Sequence, residues 1–409
     1  LPAGASRSVG QSGSQGFRKL TENDSLVLAA ANTAGARLIE RENNLPASPA
    51  QRRAKDCTAS SPDQLRESIR YHAALELRNR SAAEALERFY QLAEAEATAD
   101  LARKGLPILD PLLAKAREAR ARNVRYPLDP DDLERQRSQI LTQLEQLDLA
   151  SRLLNLDLKR RIGLPYQPES ERLWPAGDFA IDPLPTDPEQ AATAALADRP
   201  ELRGLRALHA GLTPETLPDV RDVLGVVGRI DTQRGTALAF ALVLQRLGRH
   251  KGPDPDTLAE LEVRRQQLGD LIVARERQIA DEARAAALAL NSQRLRATLA
   301  RDRLRSWDEK LADAARRLEA NQPSAELLEA QVRFEWLKAK TELAAEVAAW
   351  HRAKVRLRAA MGWLAWEAVG TQFGPIPPHP PCSASPPTTT AAPVRATSGP
   401  PAASASRGR

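Results

Sequence analysis

DPDDLERQRSQILTQLEQLDLASRLLNLDLKRRIG, residues 129–163, and SAELLEAQVRFEWLKAKTELAAEVAAWHRAKVRLRAAMG, residues 324–362, decide the fold. Each opens on a polar helix-start signal, runs as one amphipathic helix and stops at a glycine, Gly163 or Gly362. Asp129 is placed to cap the first, with Pro130 in its first turn and the acids Asp131 and Asp132 at the positive end of the helix dipole. Leu133, Ile140, Leu144, Leu147, Leu154 and Leu158 line one side of it. In the second, Leu328, Val332, Ala339, Leu343, Val347, Trp350, Leu357 and Met361 recur at close to the coiled-coil average. The intervals from Gln136 to Gly163 and from Gln331 to Gly362 differ by about one helical turn. Such a unit, used twice, needs a neighbour to cover its apolar side.

Outward from these stretches, each is preceded by another helix. Residues 62–100 carry Leu75, Asn79, Ala82, Leu86, Phe89, Ala93 and Ala97 at spacings of three and four. Pro107 and Pro111 predict an interruption or kink there, with helix resuming over 112–122 and a turn at Tyr126–Pro130. Residues 256–321 predict the counterpart, with Leu288, Leu295, Leu299, Leu304, Trp307, Leu311 and Leu318 along one side, broken by Asn321-Gln322-Pro323-Ser324. The helix after that break is expected to run to about Trp366. The fold class is mainly α: two repeated, long antiparallel helix pairs, coiled-coil-like, with at most a short β-hairpin.

The division that follows is 1–62, a mostly disordered segment holding one short helix over 26–41; 63–163, the first helix-pair repeat; and 164–200, a Pro-rich linker with a short helix over 189–198. Then come 201–256, a divergent region; 257–366, the second repeat; and 367–409, a Pro/Thr/Ala-rich tail unable to bury a core. Within the divergent region, residues 223–230 and 236–247 could form a hairpin around Asp231–Gly235. The alternation of Leu238, Phe240, Leu242 and Leu244 with small residues fits a strand, and an Ala/Leu-rich helix fits it equally well.

Composition points away from most chemistry. Charged residues make up 27% and aromatics 4%, with 59 basic against 53 acidic side chains, a net charge of +6. The excess is spread out, without the basic stripe and stacking aromatics of a nucleic-acid binder, so no nucleic-acid partner is expected. His72, His209, His250, His351 and His379 are scattered, and Cys57 and Cys382 share no ligand spacing with them, so no metal site is expected. Gly225-Val226-Val227-Gly228 lacks the Lys-Ser/Thr of a phosphate loop. Asp131 and Asp132 read as helix-start chemistry, and Trp307, Trp336 and Trp350 as fillers between helices. No catalytic residue or cofactor is expected, and the chain reads as a non-enzyme. No run of about 18 apolar residues is present, Ala3-Gly4-Ala5 lacks the apolar stretch of a signal peptide, and the residues before Cys57 do not resemble a lipid-anchor box.

Four phrases give the sequence a resemblance to the TolC-like outer-membrane efflux proteins. They are Arg88-Phe89-Tyr90-Gln91-Leu92 with Ala93-Glu94-Ala95; Leu153 to Tyr166; Ala197-Asp198-Arg199-Pro200-Glu201-Leu202-Arg203-Gly204-Leu205; and Ser324 to Gly362. Together they span roughly residues 80–365, in family order. The resemblance implies a homo-trimeric helical duct across the periplasm, carried in the outer membrane by a β-barrel and served by an inner-membrane pump and a periplasmic adaptor. The family places a membrane-length hairpin before each helix pair, and none is legible before residue 80. Two strands per chain would give six in a trimer, short of the usual minimum of eight. The expectation is therefore a duct subunit or, alternatively, a barrel-less periplasmic coiled-coil structural or interaction protein.

Overall fold

The computed structural model describes residues 16–43, 62–165, 171–217, 220–221, 257–320, 322 and 325–373. Residues 44–61 and 222–256, which hold the candidate hairpin, lie outside the described residues, as do Cys57, Cys382, His250, His379 and Gly225–Gly228.

Two long helix pairs dominate. Helix α3 spans Pro62–Ala121 and α4 Pro130–Arg161; α7 spans Thr257–Glu319 and α8 Ala325–Ala360. The 60 residues of α3 and 63 of α7 make shafts of about 90 Å at the α-helical rise. Ahead of each pair stand a four-residue strand and two short helices. In the first half these are β1 (Phe17–Leu20), α1 (Glu22–Ala31) and α2 (Ala34–Asn43). In the second they are β2 (Arg172–Pro175), α5 (Pro188–Asp198) and α6 (Pro200–Ala210). A last helix, α9 (Trp363–Phe373), packs on α1 and α3. The repeat is therefore longer than the helix pairs alone: strand, short helix, short helix, long helix, long helix, twice.

Two short helices, α1 and α2, stand where one was expected over 26–41, which is a correction, while residues 1–15 and 44–61 lie outside the described residues. Thr21 and Asp24 form a reciprocal capping box that starts α1, and the chain breaks at Asn32. The Asn32 side chain is used elsewhere: its amide donates to the Arg160 and Arg161 carbonyls at the end of α4. A second correction concerns α3, which runs unbroken through Pro107 and Pro111. Each proline removes one backbone bond, but Leu109, Leu112, Leu113 and Ala116 are buried against Leu133 and Ala330 of the neighbouring helices and keep the helix continuous. The third is α8, which ends at Ala360 rather than near Trp366, because Gly362 takes a left-handed φ of +77°. Gly163 does the same at φ +75°, closing α4. The strands β1 and β2 pair in parallel, Phe17 with Arg172 through Leu20 with Pro175. These short runs, far apart in sequence, carry no readable alternation.

The long helices form one layer in the order α4–α3–α8–α7. Helix α3 lies between α4 and α8, and α8 between α3 and α7. At Gly105 of α3, Ile140 of α4 and Phe334 of α8 both stand 3.5 Å from where a Cβ would be, so the absent side chain lets three helices close up. The two interhelical turns meet at one end of the layer. Tyr126, Leu128, Leu133, Leu327 and Ala330 share a cluster there, and Lys115 of α3 pairs with Glu326 of α8.

Candidate assembly surface and the junction behind it

Both margins of the layer are unfinished. In α4 only Leu133, Ser151, Asn155 and Leu158 are buried: Leu133 and Leu158 share clusters with α3, and Asn155 bonds Leu173 of β2. The opposite side presents Leu149, Leu153 and Leu156, with Leu141 on the flank and Leu149 60% exposed. At the far margin α7 presents Leu288, Leu295 and Leu299, with Leu288 also 60% exposed. Seven exposed leucines along two margins are more than scattered surface apolars, and contiguous apolar patches mark contact sites.

The stripes lie at one height along the shaft. Asp157 of α4 pairs with Arg88 of α3 at 2.9 Å, and the adjacent Glu87 accepts from Arg356 of α8 at 2.7 Å. Leu357, next along α8, shares a core cluster with Ala287 and Leu290 of α7. Leu156 and Leu288 are therefore level on opposite edges.

The phrase Asp198-Arg199-Pro200-Glu201-Leu202 sits at the junction of the two halves, where α6 starts. Glu201 accepts two bonds from Arg275 of α7, at 2.8 and 2.7 Å, with both side chains buried. Arg199 donates to the Ala360 carbonyl at the end of α8 and reaches Glu76 of α3 at 3.4 Å and Glu282 of α7 at 3.5 Å. Burial raises the Glu76 carboxyl above its ordinary value, with the Arg199 guanidinium working against that rise. Asn79 of α3 donates to Ala359, so both end carbonyls of α8 are capped from other elements. The first half repeats the device with a different residue. Asn32 lies against Gly163 as Arg199 and Pro200 lie against Gly362.

On one face, residues 176–187 cross the layer from β2 to α5 as a strap. Phe179 stands edge-on to Tyr90 of α3 and His351 of α8, and Asp182 accepts from Lys354 of α8 at 2.8 Å. Arg294 of α7 donates to the Pro183 carbonyl, and Asn291 makes a two-way bond with Thr186. Beneath the strap the Tyr90 hydroxyl donates to Glu22 of α1 at 2.7 Å, and Arg358 bonds both Glu22 and Glu367. Burial alone would raise Glu22, but the Tyr90 hydroxyl and the Arg358 charge outweigh it and hold the carboxyl below its usual range.

Of the residues singled out from sequence, Asp131 and Asp132 pair with Arg120 and Arg135, as surface helix-start groups do. Trp350 fills the α7–α8 core, Trp336 donates across to Asp308 of α7, and Trp307 lies under Lys310. His72, His209 and His351 stand apart, and no group of three candidate metal ligands occurs among the described residues. Among the described residues no helix is long and apolar enough to cross a membrane. Sequence reasoning missed the strap, the capping roles of Asn32 and Arg199, and the burial of Arg275 and Glu201. The one available signal was the density of charge in Asp198–Glu201 ahead of an apolar residue.

This architecture matches solved outer-membrane channels. The CmeC channel of Campylobacter jejuni superposes with a TM-score of 0.53 at 10% identity, over 84% of this chain and 85% of that one. CusC does so with 0.52 at 14% identity, over 84% and 96%. OprN gives 0.50 at 14% identity, over 84% and 89%. The chain is a distant match to the TolC-like channels. At these identities the likeness is one of fold. No family model and no curated sequence matches the chain. The TolC-like fold places the four resembling phrases. Phe89, Tyr90 and Leu92 are core, Gly163 and Gly362 close the outer helices, and Arg199 with Glu201 joins the halves.

Proposed function

We propose that the chain is a structural wall subunit: a helical module that associates side by side with copies of itself, α4 of one against α7 of the next. The observation that carries this reading is the pair of level leucine stripes on the two open margins. Contact between different edges is head-to-tail, and such contacts close into rings when the rotation allows. Level stripes favour a ring over a climbing filament, because neighbours then meet without sliding along the shaft. A homo-trimer follows from the resemblance to TolC-like channels. Light scattering on the full chain tests the reading; a stable monomer at micromolar concentration sinks it.

A second reading, an export duct of the outer membrane working with an inner-membrane pump and a periplasmic adaptor, is supported by the match to CmeC and CusC over most of the chain. In that reading residues 44–61 and 222–256 enter at equivalent points of the two halves, each between a short helix and a long one. Membrane fractionation with a carbonate wash separates the readings. Retention in the outer-membrane pellet favours the duct, and release favours a wall module outside the bilayer.

A further inference from the structure

We propose that the strap over residues 176–187 is an acid-released latch, with His351 as its trigger: the strap stays closed across α3, α8 and α7 while the His351 ring is neutral. This goes beyond the assembly reading and does not depend on it.

His351 is buried, and its ring stacks on Tyr90 with centroids 4.7 Å apart and planes 13° from parallel. Phe179 of the strap closes over it edge-on at 5.7 Å, and Trp350 stands edge-on at 4.8 Å. Nε2 finds no hydrogen-bond partner among the described residues. A second proton there would be a new donor, placed where nothing accepts it and water is excluded. Burial accordingly holds the His351 pKa below the ordinary histidine value, against a backbone hydrogen bond to Phe179 that favours the charged ring.

The surrounding charges do not undo this. Glu22 of α1 and Asp182 of the strap attract an imidazolium, but Glu22 already accepts from Tyr90 and Arg358, and Asp182 from Lys354. Lys354, on the same helix, repels it. From α3, Glu94 is taken by Arg352 and Glu87 by Arg356, and from α9, Glu367 is taken by Arg358. With the strap lifted, His351 meets water and recovers its ordinary pKa. A group whose pKa is depressed in the closed state leaves closure intact above pH 6.5. Closure then weakens as pH falls from there toward the depressed value, by up to about tenfold per pH unit. The remaining strap anchors, Asp182–Lys354, Arg294–Pro183 and Thr186–Asn291, are exposed or half-buried and yield once Phe179 no longer rests on a neutral ring.

Hydrogen exchange of the full chain, corrected for intrinsic chemical rates, tests the latch at pH 7.0 and 5.5. Protection of strap amides should fall several-fold to about tenfold at the lower pH, while β1–β2 amides and the α4 helix hold. His351→Phe should remove the pH dependence. Unchanged strap protection in the native protein, or an equal pH dependence in His351→Phe, overturns the proposal. Should that variant not fold, the titration of His351 followed by NMR in native protein with labelled histidine decides. Its midpoint must lie below that of an exposed histidine and track strap opening, and a normal midpoint or a mismatch overturns the latch.

Discussion

At the residue scale the two left-handed glycines and the buried ion pair carry the junctions. A Cβ on Gly362 would lie 2.8 Å from Pro200 Cδ and 3.0 Å from Arg199 Cα, whereas one on Gly163 would first meet the Asn32 side chain, at 2.7 Å. Both substitutions incur the left-handed penalty of roughly 1–2 kcal/mol. Asn32 can swing aside but the Arg199 backbone cannot, so Gly362→Ala should destabilise more than Gly163→Ala in urea melts. Arg275→Ala leaves Glu201 as a buried charge without its two-bond partner and should cost about 3–5 kcal/mol. Replacing both Arg275 and Glu201 by leucine should cost much less. Equal losses in the single and double variants would refute that account.

At the element scale the open margins make the clearest demand. Leu153→Arg and Leu295→Arg change exposed positions on opposite edges, so each should leave helicity and melting of the protomer nearly unchanged. Each removes an apolar side chain worth about 1.5–3 kcal/mol on burial and should weaken self-association at least tenfold by light scattering. Association unaffected by either change would place the contact elsewhere. The prolines of α3 give a second test. Pro107 and Pro111 are both exposed, and replacing either with alanine restores a backbone donor inside a helix. Stability should rise by roughly 1–3 kcal/mol per site if the helix is as continuous as it stands here. A loss would mean that the chain uses the prolines. The long helices were legible because leucine spacing, the Asp129–Pro130 start and the terminal glycines all agree. The break of α3 was misjudged because local proline chemistry is overridden by packing from both neighbours. The ends of the short elements were poorly legible for the opposite reason: their strands are four residues long, and Asn32 and Arg199 take their roles from partners more than a hundred residues away.

At the scale of the whole molecule, the duplicated plan was half visible in the sequence. The long pairs repeat in composition, while the strand and short helices repeat only in position. Gly163 resting on asparagine and Gly362 on arginine and proline show why: the geometry is kept and the residues are not. The layer order has a further consequence for synthesis. Helix α3 is the hub, yet among the described helices its partner α8 is the next to last to leave the ribosome. Until α8 arrives, the nascent first half can cover α3 with α1, α2 and α4, but the strip through Tyr90, Leu101 and Ile108 faces water. At translation speeds of about 5–20 residues per second that exposure lasts on the order of ten seconds or more. Release of a chain truncated before α8 should therefore yield a species that binds holdase chaperones, whereas the complete chain should not.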